Sequence, residues 1–428
     1  MQSGIIERNM FEIKSFVRKA KNTAHLAIAL GANVLFGFPA KKLTVIGVTG
    51  TDGKTTTSSL IYHLLKQAGK EVGMISTVGA FLGGESEHLG FHVTTPSIFS
   101  LQKYIKRASS LTPNNKKYLV LEVTSHALDQ HRVYGVDFQI GVLTNISHEH
   151  LDYHKNIDNY MKTKLKLFKR SKVSVLNLDD FSYNFMKERL SGKQVYTYSL
   201  ANKKADFSAS TFPFKTTLIG DFNFQNCMAA VAVAKILKIE DSIIQAGLES
   251  FAHPEGRQHI VHSESFTVMI DFAHTPNAFE KILSATKKEY KGKIIHVFGS
   301  AGERDKTKRP LMGSVSSAFA NIIILTEEDS RKEKPQEIMS DIESGIAKDF
   351  AFQPDMVIPE KNSKKTYYKV ENREEAIAWA ISLASPDDLV IITGKGHEQA
   401  INRGNGEEAW DEFAVARAAI GKKINTNG

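Results

Sequence analysis

Residues 47–59 read GVTGTDGKTTTSS, and few stretches restrict a fold as tightly. A turn of this kind presents its backbone N–H groups to an anion only when a strand leads into it and a helix leads out. The preceding KLTVIGV is β-branched and apolar, as a fully buried strand requires, and TTTSSLIYHLLKQAG is amphipathic at helical spacing and closes on Gly69. The turn itself is short. The common phosphate-loop pattern demands glycine at position 48, where Val48 stands, leaving Gly50-Thr51-Asp52-Gly53-Lys54-Thr55. In such a loop Lys54 reaches the terminal phosphates of a nucleotide, and the Thr55 hydroxyl ligates Mg²⁺.

The strand–helix alternation continues. EVGMISTVG, KYLVLEVTS, FQIGVLTNI and KVSVLNLDD are further apolar strands separated by helical or polar stretches. This predicts an α/β fold: a central P-loop-type domain built on a mostly parallel sheet, with the loop at a strand's carboxyl end. Past ESFAHPEGRQ the alternation restarts with FTVMIDFAH, KIIHVFGSAG, NIIILTEED and DLVIITGKG, predicting a second, Rossmann-like α/β domain. The expected division is a short helical leader over 1–42, a central ATP-binding domain over 43–254 and a C-terminal domain over 255–428.

Composition narrows the class. The one cysteine, Cys227, rules out a disulfide framework and a cysteine-cluster zinc site, and it suits a reducing, cytoplasmic setting. A net charge of +8 fits either an anionic partner or plain solubility. The longest apolar run, HLAIALGANVLFGF over 25–38, is shorter than the roughly 20 residues a bilayer span needs. It follows Arg18, Lys19 and Lys21 but leads straight toward the first strand, leaving no room for a cleaved secretory leader. A helix packed on the next domain is expected, with a membrane-interface helix as the runner-up. A nucleic-acid partner is not expected, because no stacking-aromatic groove motif is present.

Magnesium needs further ligands. LEVTSHALDQHRV sets Glu122 at the end of a strand, and TNISHEHLDYH gathers His148, His150, Asp152 and His154 after another. Any one of these histidines alone reads as structural; four candidates in seven residues favour metal binding.

GTDGKTTT, TTPS at 94–97, EVTSHALDQHRV, NISHEHLDYH, GDFNFQN at 220–226, DFAHTPNA at 271–278, FGSAGERDKTKRPLMG and GKGHEQ occur in that order. Together these motifs resemble the Mur ligases, and within them the UDP-N-acetylmuramoyl-tripeptide synthetases, from about residue 43 to the C-terminus. The resemblance implies ATP and two Mg²⁺ ions as cofactors, and a UDP-linked muramoyl dipeptide and a diamino acid as substrates. It implies that Gly50, Thr51, Asp52, Gly53, Lys54, Thr55 and Thr56 cradle the phosphates, with Thr55, Glu122, His150 and Lys164 at the metals. Lys164 would act as a carbamate, although Lys162 and Lys166 stand close enough to be confused with it. Asn226 would meet adenine, and Arg257, Asp271, His274, Arg304 and Lys306 would hold the nucleotide from the C-terminal domain. Lys54, Glu122, His150, Lys164 and Arg304 would carry catalysis, and Thr94, Thr95, Ser125 and Arg132 would contact the acceptor.

In relatives that use meso-diaminopimelate, a loop Asp-Asn-Pro-Arg grips the distal carboxylate. Here the matching segment is Glu328-Asp329-Ser330-Arg331. Arg331 keeps the bidentate donor, whereas Asp329 would repel a carboxylate unless it binds the ammonium. Gly394 and Glu398 match positions that recognise the distal amino and carboxyl ends. Diaminopimelate is therefore expected over lysine. The pattern breaks at the start: 42 residues precede the first strand, where relatives carry a domain that holds UDP. The uridine anchor is expected to be missing or reduced.

Overall fold

The computed structural model describes residues 21–90, 94–110, 117–147, 151–359 and 365–427. The chain divides into two compact units, one running through Thr217 and again over Phe224–Phe251, the other holding Leu218–Asn223 and everything from Ala252 onward. The main division thus falls after Phe251 rather than after Pro254, and a short stretch joins the second unit early. Asn223 explains that stretch: its amide donates to Ile219 O and to Gln258 Oε1, both at 2.9 Å.

The first unit is built on nine strands: β1 Leu43–Thr49, β2 Glu71–Ser76, β3 Gly79–Leu82, β4 Glu85–Glu87, β5 Lys117–Glu122, β6 Phe138–Leu143, β7 Ser171–Asn177, β8 Gln194–Ser199 and β9 Phe207–Ser208. Their order is β4-β3-β2-β5-β1-β6-β7-β8-β9. From β2 to β9 the pairings are parallel, and only β3 and β4 run antiparallel at one edge. Parallel strands are buried on both faces. Accordingly Val45, Leu119 and Leu121 share a core with Leu101 and Ile105 of the helix Ile98–Ser110 and with Leu165 and Phe168 of the helix Ile157–Lys169. The helix Lys54–Gln67 packs against β1, β2 and β5 and ends on Gly69 in the left-handed region.

The apolar run near the start forms a helix over 21–36. Ala29 and Ala32 bury against Ile98 and Tyr134, and the Asn33 amide donates to Ala29 O and Tyr134 O at 2.8 Å each. No helix among the described residues is long and apolar enough to cross a membrane.

The second unit holds β10 His259–His262, β11 Thr267–Asp271, β12 Ile294–Phe298, β13 Ile322–Leu325, β14 Phe350–Phe352, β15 Lys365–Lys369 and β16 Leu389–Thr393. They are ordered β10-β11-β16-β12-β13-β15-β14, with β10 alone antiparallel. A small hairpin, β17 Ala400–Asn402 with β18 Glu407–Ala409, follows. The four strands legible as apolar runs, β11, β16, β12 and β13, are adjacent at its centre.

Candidate functional site

In the first unit the glycine turn leaves the carboxyl end of β1, with β5 on one side and β6 on the other. That crevice is where doubly wound sheets bind ligands. The turn is fastened to the segment after β6. Asn145 O accepts from Thr51 N at 2.8 Å, Asn145 Oδ1 accepts from Asp52 N at 3.0 Å, and Thr144 Oγ1 donates to Asp52 O at 2.7 Å. Thr51 Oγ1 accepts from Ser147 N at 2.9 Å and meets Tyr160 OH at 3.2 Å. Gly53 has φ +76°, and a Cβ there would stand 2.2 Å from Asn226 Oδ1, so only glycine lets the turn close over Asn226. Lys54 follows, its Nζ donating to Thr51 O at 2.6 Å.

Thr55 opens the helix and Glu122 ends β5, and they meet. The Thr55 hydroxyl lies 3.1 and 3.2 Å from the two carboxylate oxygens of Glu122. Thr77 N and Thr77 Oγ1 donate to the same carboxylate at 3.0 Å each, so a nearly fully buried carboxylate faces three donors. Thr94 Oγ1 lies 3.1 Å from Thr77 Oγ1, and Thr95 Oγ1 donates to Glu122 O at 3.0 Å. The acceptor-side candidates therefore share a network with the metal-side candidates. Thr56, in the same first helical turn as Thr55, is buried.

Of the three neighbouring lysines, Lys164 alone is buried on the loop. Its Nζ donates to Gly50 O at 2.6 Å and lies 4.5 Å from the centre of the Tyr160 ring, one helical turn back. Lys162 is exposed, and Lys166 pairs with Asp129 at 3.0 Å. His154 bonds Ser125 Oγ through Nε2 at 3.0 Å and packs on Tyr153 and Tyr160. Arg132 donates to Thr95 O at 2.9 Å and to Gln130 Oε1, and burial lowers its pKa. His148 and His150 lie outside the described residues, as does the side chain of Asp152. Among the described residues no group of three His, Cys, Asp or Glu side chains converges. The all-oxygen pair Thr55 and Glu122 nonetheless suits Mg²⁺, which keeps waters and takes one or two protein oxygens beside substrate phosphates.

In the second unit the candidates gather at the carboxyl ends of neighbouring parallel strands. Asp271 ends β11, accepting from Gln258 N and Ala273 N at 2.7 Å each. Burial raises its pKa against the pull of the Arg257 charge and those two donors. Arg257 stacks 4.3 Å from the Phe272 ring centre, and His274 Nδ1 lies 2.8 Å from Phe272 O. The loop after β12 carries Arg304, exposed, and Lys306, paired with Glu333 at 2.9 Å. Glu333 is held at about 2 by hydrogen bonds from Arg309 and Lys306.

After β13, Asp329 Oδ1 accepts from Lys395 Nζ at 2.9 Å and from Asn402 N at 3.0 Å. Lys395, fully buried, also pairs with Glu398 at 2.8 Å. Burial works against the Lys395 charge, but Glu398 and Asp329 outweigh it and hold its pKa above the ordinary value. Arg331 sits at φ +53°, its backbone N donating to Asn402 O at 2.9 Å and its Nη1 to Gly302 O at 3.2 Å. Glu328 is buried against Gly394, its pKa raised by burial.

Thr77, Thr144, Asn145 and Tyr160 join the cluster in the first unit, and Lys395 that in the second, without having stood among the sequence candidates. Thr77, Thr144 and Asn145 each lie just past a strand end, a signal open to reading; the pairing of Lys395 with Asp329 had none.

A phosphate loop at the centre of one parallel sheet, with charged loops at the carboxyl edge of a second, defines a nucleotide-handling α/β enzyme of two units. The Mur ligase middle domain matches residues 48–234, and the Mur ligase glutamate ligase domain matches 256–396. The UDP-N-acetylmuramoyl-L-alanyl-D-glutamate–2,6-diaminopimelate ligase of Aquifex aeolicus is 40% identical over 389 residues, covering 87% of this chain and 76% of that protein. The UDP-N-acetylmuramyl-tripeptide synthetase of Deinococcus radiodurans is 37% identical over 422 residues, covering 94% and 82%. A solved UDP-N-acetylmuramoyl-L-alanyl-D-glutamate–2,6-diaminopimelate ligase superposes with a TM-score of 0.60 at 28% identity, covering 89% of this chain and 79% of that one. The chain belongs to the Mur ligase family, in its tripeptide-synthetase branch.

Proposed function

We propose that the chain is a cytoplasmic ATP-dependent ligase that joins meso-diaminopimelate to the glutamyl carboxyl of UDP-N-acetylmuramoyl-L-alanyl-D-glutamate. The acceptor carboxylate attacks the γ-phosphorus of ATP, ADP leaves, and an acyl phosphate forms. The diamino acid's amine then attacks the acyl carbon, loses a proton to solvent and expels phosphate. The observation that carries this reading is the meeting of Thr55 with Glu122 beside the loop, on the same network as Thr94 and Thr95. Phosphate and acceptor candidates are thereby joined in one constellation.

In this reading the loop N–H groups and Lys54 hold the triphosphate, releasing the Lys54 amine from Thr51 O. Mg²⁺ at Thr55 and Glu122 would draw charge from the phosphate oxygens. Lys164 as its carbamate, with His150, would serve a second Mg²⁺. Ser125 and Arg132 orient the acceptor, and Arg257, Asp271, His274, Arg304 and Lys306 serve the nucleotide from the second unit. Asn226 acts at adenine and shapes the turn through Gly53.

The pairing of Asp329 with Lys395 bears on the amino acid. Asp329 Oδ1 is engaged by Lys395, which Glu398 shares, and by Asn402 N, so it is held within the protein, and Arg331 keeps donors for a carboxylate. This supports diaminopimelate. The test is ADP and phosphate release with the UDP-linked dipeptide, Mg²⁺ and either diaminopimelate or lysine, with the product weighed by mass spectrometry. Equal turnover of the two amino acids removes the Arg331 assignment; no new amide with either removes the function.

A further inference from the structure

The helix over 21–36 leaves four large aliphatic side chains outside. Ala29, Ala32 and Asn33 are wholly buried, and Leu26 and Phe36 are half-buried. Ile28 and Leu30 are each 43% exposed, Val34 67% and Leu35 70%. Isolated exposed aliphatics are ordinary, but four on one side of one helix form a contiguous patch. Beside it opens a groove of about 650 Å³ whose walls combine Leu30, Phe38 and Tyr134 with Lys41, Lys169 and Arg170.

Charge accompanies the patch. From residue 13 to residue 51 the sequence contains no Asp or Glu. Lys21 stands at the start of the helix, and exposed Lys41 and Lys42 follow its end. Lys169 and Lys172 add exposed charge beside the first residue of β7. One acid, Asp137, lines the groove, and it faces Arg170. Lys41 and Lys42 immediately precede β1, Lys169 precedes β7 and Lys172 is its second residue, so these four lie at the amino ends of the parallel strands, whereas the phosphate loop leaves the carboxyl end of β1. A surface docked here leaves the loop's end of the sheet uncovered.

We propose that this face seats the protein peripherally on an anionic phospholipid bilayer. The outer side of the helix enters the boundary between headgroups and acyl chains, while Lys41, Lys42, Lys169 and Lys172 meet lipid phosphates. An apolar stripe flanked by lysines is the pattern of an interfacial helix, and juxtaposed basic residues are attracted to anionic lipid over a Debye length. Sixteen residues make a helix about 24 Å long, suited to lie flat rather than to cross.

Co-sedimentation of the full chain with vesicles tests this, using phosphatidylcholine alone and phosphatidylcholine with about one-quarter phosphatidylglycerol. The expected result is binding to the anionic vesicles only, weakened at least about tenfold on raising salt from about 0.1 to 0.5 M. Val34→Ser with Leu35→Ser, and separately Lys41→Glu with Lys169→Glu, should each lower the partition about tenfold with far-UV circular dichroism and ATP turnover unchanged. Absence of sedimentation with the folded parent, or equal binding to both vesicles, overturns the proposal. Binding untouched by the Val34 and Leu35 changes overturns it as well. A dimer in light scattering that dissolves on those same changes, without vesicle binding, assigns the face to a second copy instead.

Discussion

Replacing Gly53 with alanine measures how tightly the phosphate turn is built. At φ +76° and ψ −3° an L-residue costs roughly 1–2 kcal/mol. The new Cβ would also stand 2.2 Å from Asn226 Oδ1 and 3.0 Å from its Cγ, a contact relieved only by moving Asn226. That side chain accepts from Thr57 Oγ1 at 3.2 Å, and both residues are buried. Losing the bond adds about 1–2 kcal/mol, for a total near 2–4 kcal/mol. Gly69→Ala is the internal reference: φ is +66° with nothing within 4 Å, so it should cost the backbone term of roughly 1–2 kcal/mol alone. Both tryptophans, Trp379 and Trp410, lie in the second unit. Urea unfolding followed by far-UV circular dichroism should therefore show an early shift that tryptophan fluorescence does not share. In an Asn226→Gly background, where the Thr57 bond is already gone and no side chain meets the new Cβ, Gly53→Ala should cost only the backbone term that Gly69→Ala shows. If Gly53→Ala costs no more than Gly69→Ala, the contact with Asn226 does not shape the turn and the reasoning fails.

Glu122→Gln keeps the side-chain shape but removes the charge that faces Thr55, and should lower phosphate release by roughly 10²–10³-fold while the unfolding midpoint moves little. Lys395→Met strands the Asp329 and Glu398 carboxylates, which should destabilise the second unit by about 3–5 kcal/mol in tryptophan-monitored urea unfolding. Acid should weaken the second unit through His296, whose pKa is pushed down to about 3 by burial first and by Arg373 next. Because that pKa lies below the unfolded value near 6.5, the unfolded chain binds the extra proton as pH falls from about 6.5 toward 3. Stability present at neutral pH is then lost at about 1.4 kcal/mol per pH unit. His296→Gln keeps partners for Ser316 and Thr393 and should make the slope shallower by that amount between pH 6 and pH 4; an unchanged slope refutes the buried neutral imidazole.

What the sequence disclosed followed from how locally each feature is encoded. β1, the turn and the helix Lys54–Gln67 are contiguous, and each obeys its own period, so strand, loop and helix were all readable in one pass. β11, β12, β13 and β16 were readable because strands buried on both faces are uninterrupted apolar runs. The edges were not. β4 is three exposed residues, ESE, and β15 is KTYYK, half polar along its length; neither differs locally from a loop, and only a neighbouring strand makes it pair. The same distinction divides the site. Lys54 and Thr55 announce themselves within the turn, but the bond from Lys164 to Gly50 spans 114 positions and the pair Lys395–Asp329 spans 66. Asp329 shows why that matters for function. Read alone, its carboxylate argues against a substrate with a distal carboxylate; read with Lys395 at 2.9 Å and Asn402 N at 3.0 Å, it is a strut held from within the protein that fixes the segment bearing Arg331. The sign of a residue's effect on specificity is thus set by its partner in space. Asp329→Asn tests this directly: it should keep both hydrogen bonds and leave the preference for diaminopimelate over lysine within about threefold, since an already paired charge contributes little to the field at Arg331. A swing in preference of about tenfold or more would mean that Asp329 acts on the substrate itself.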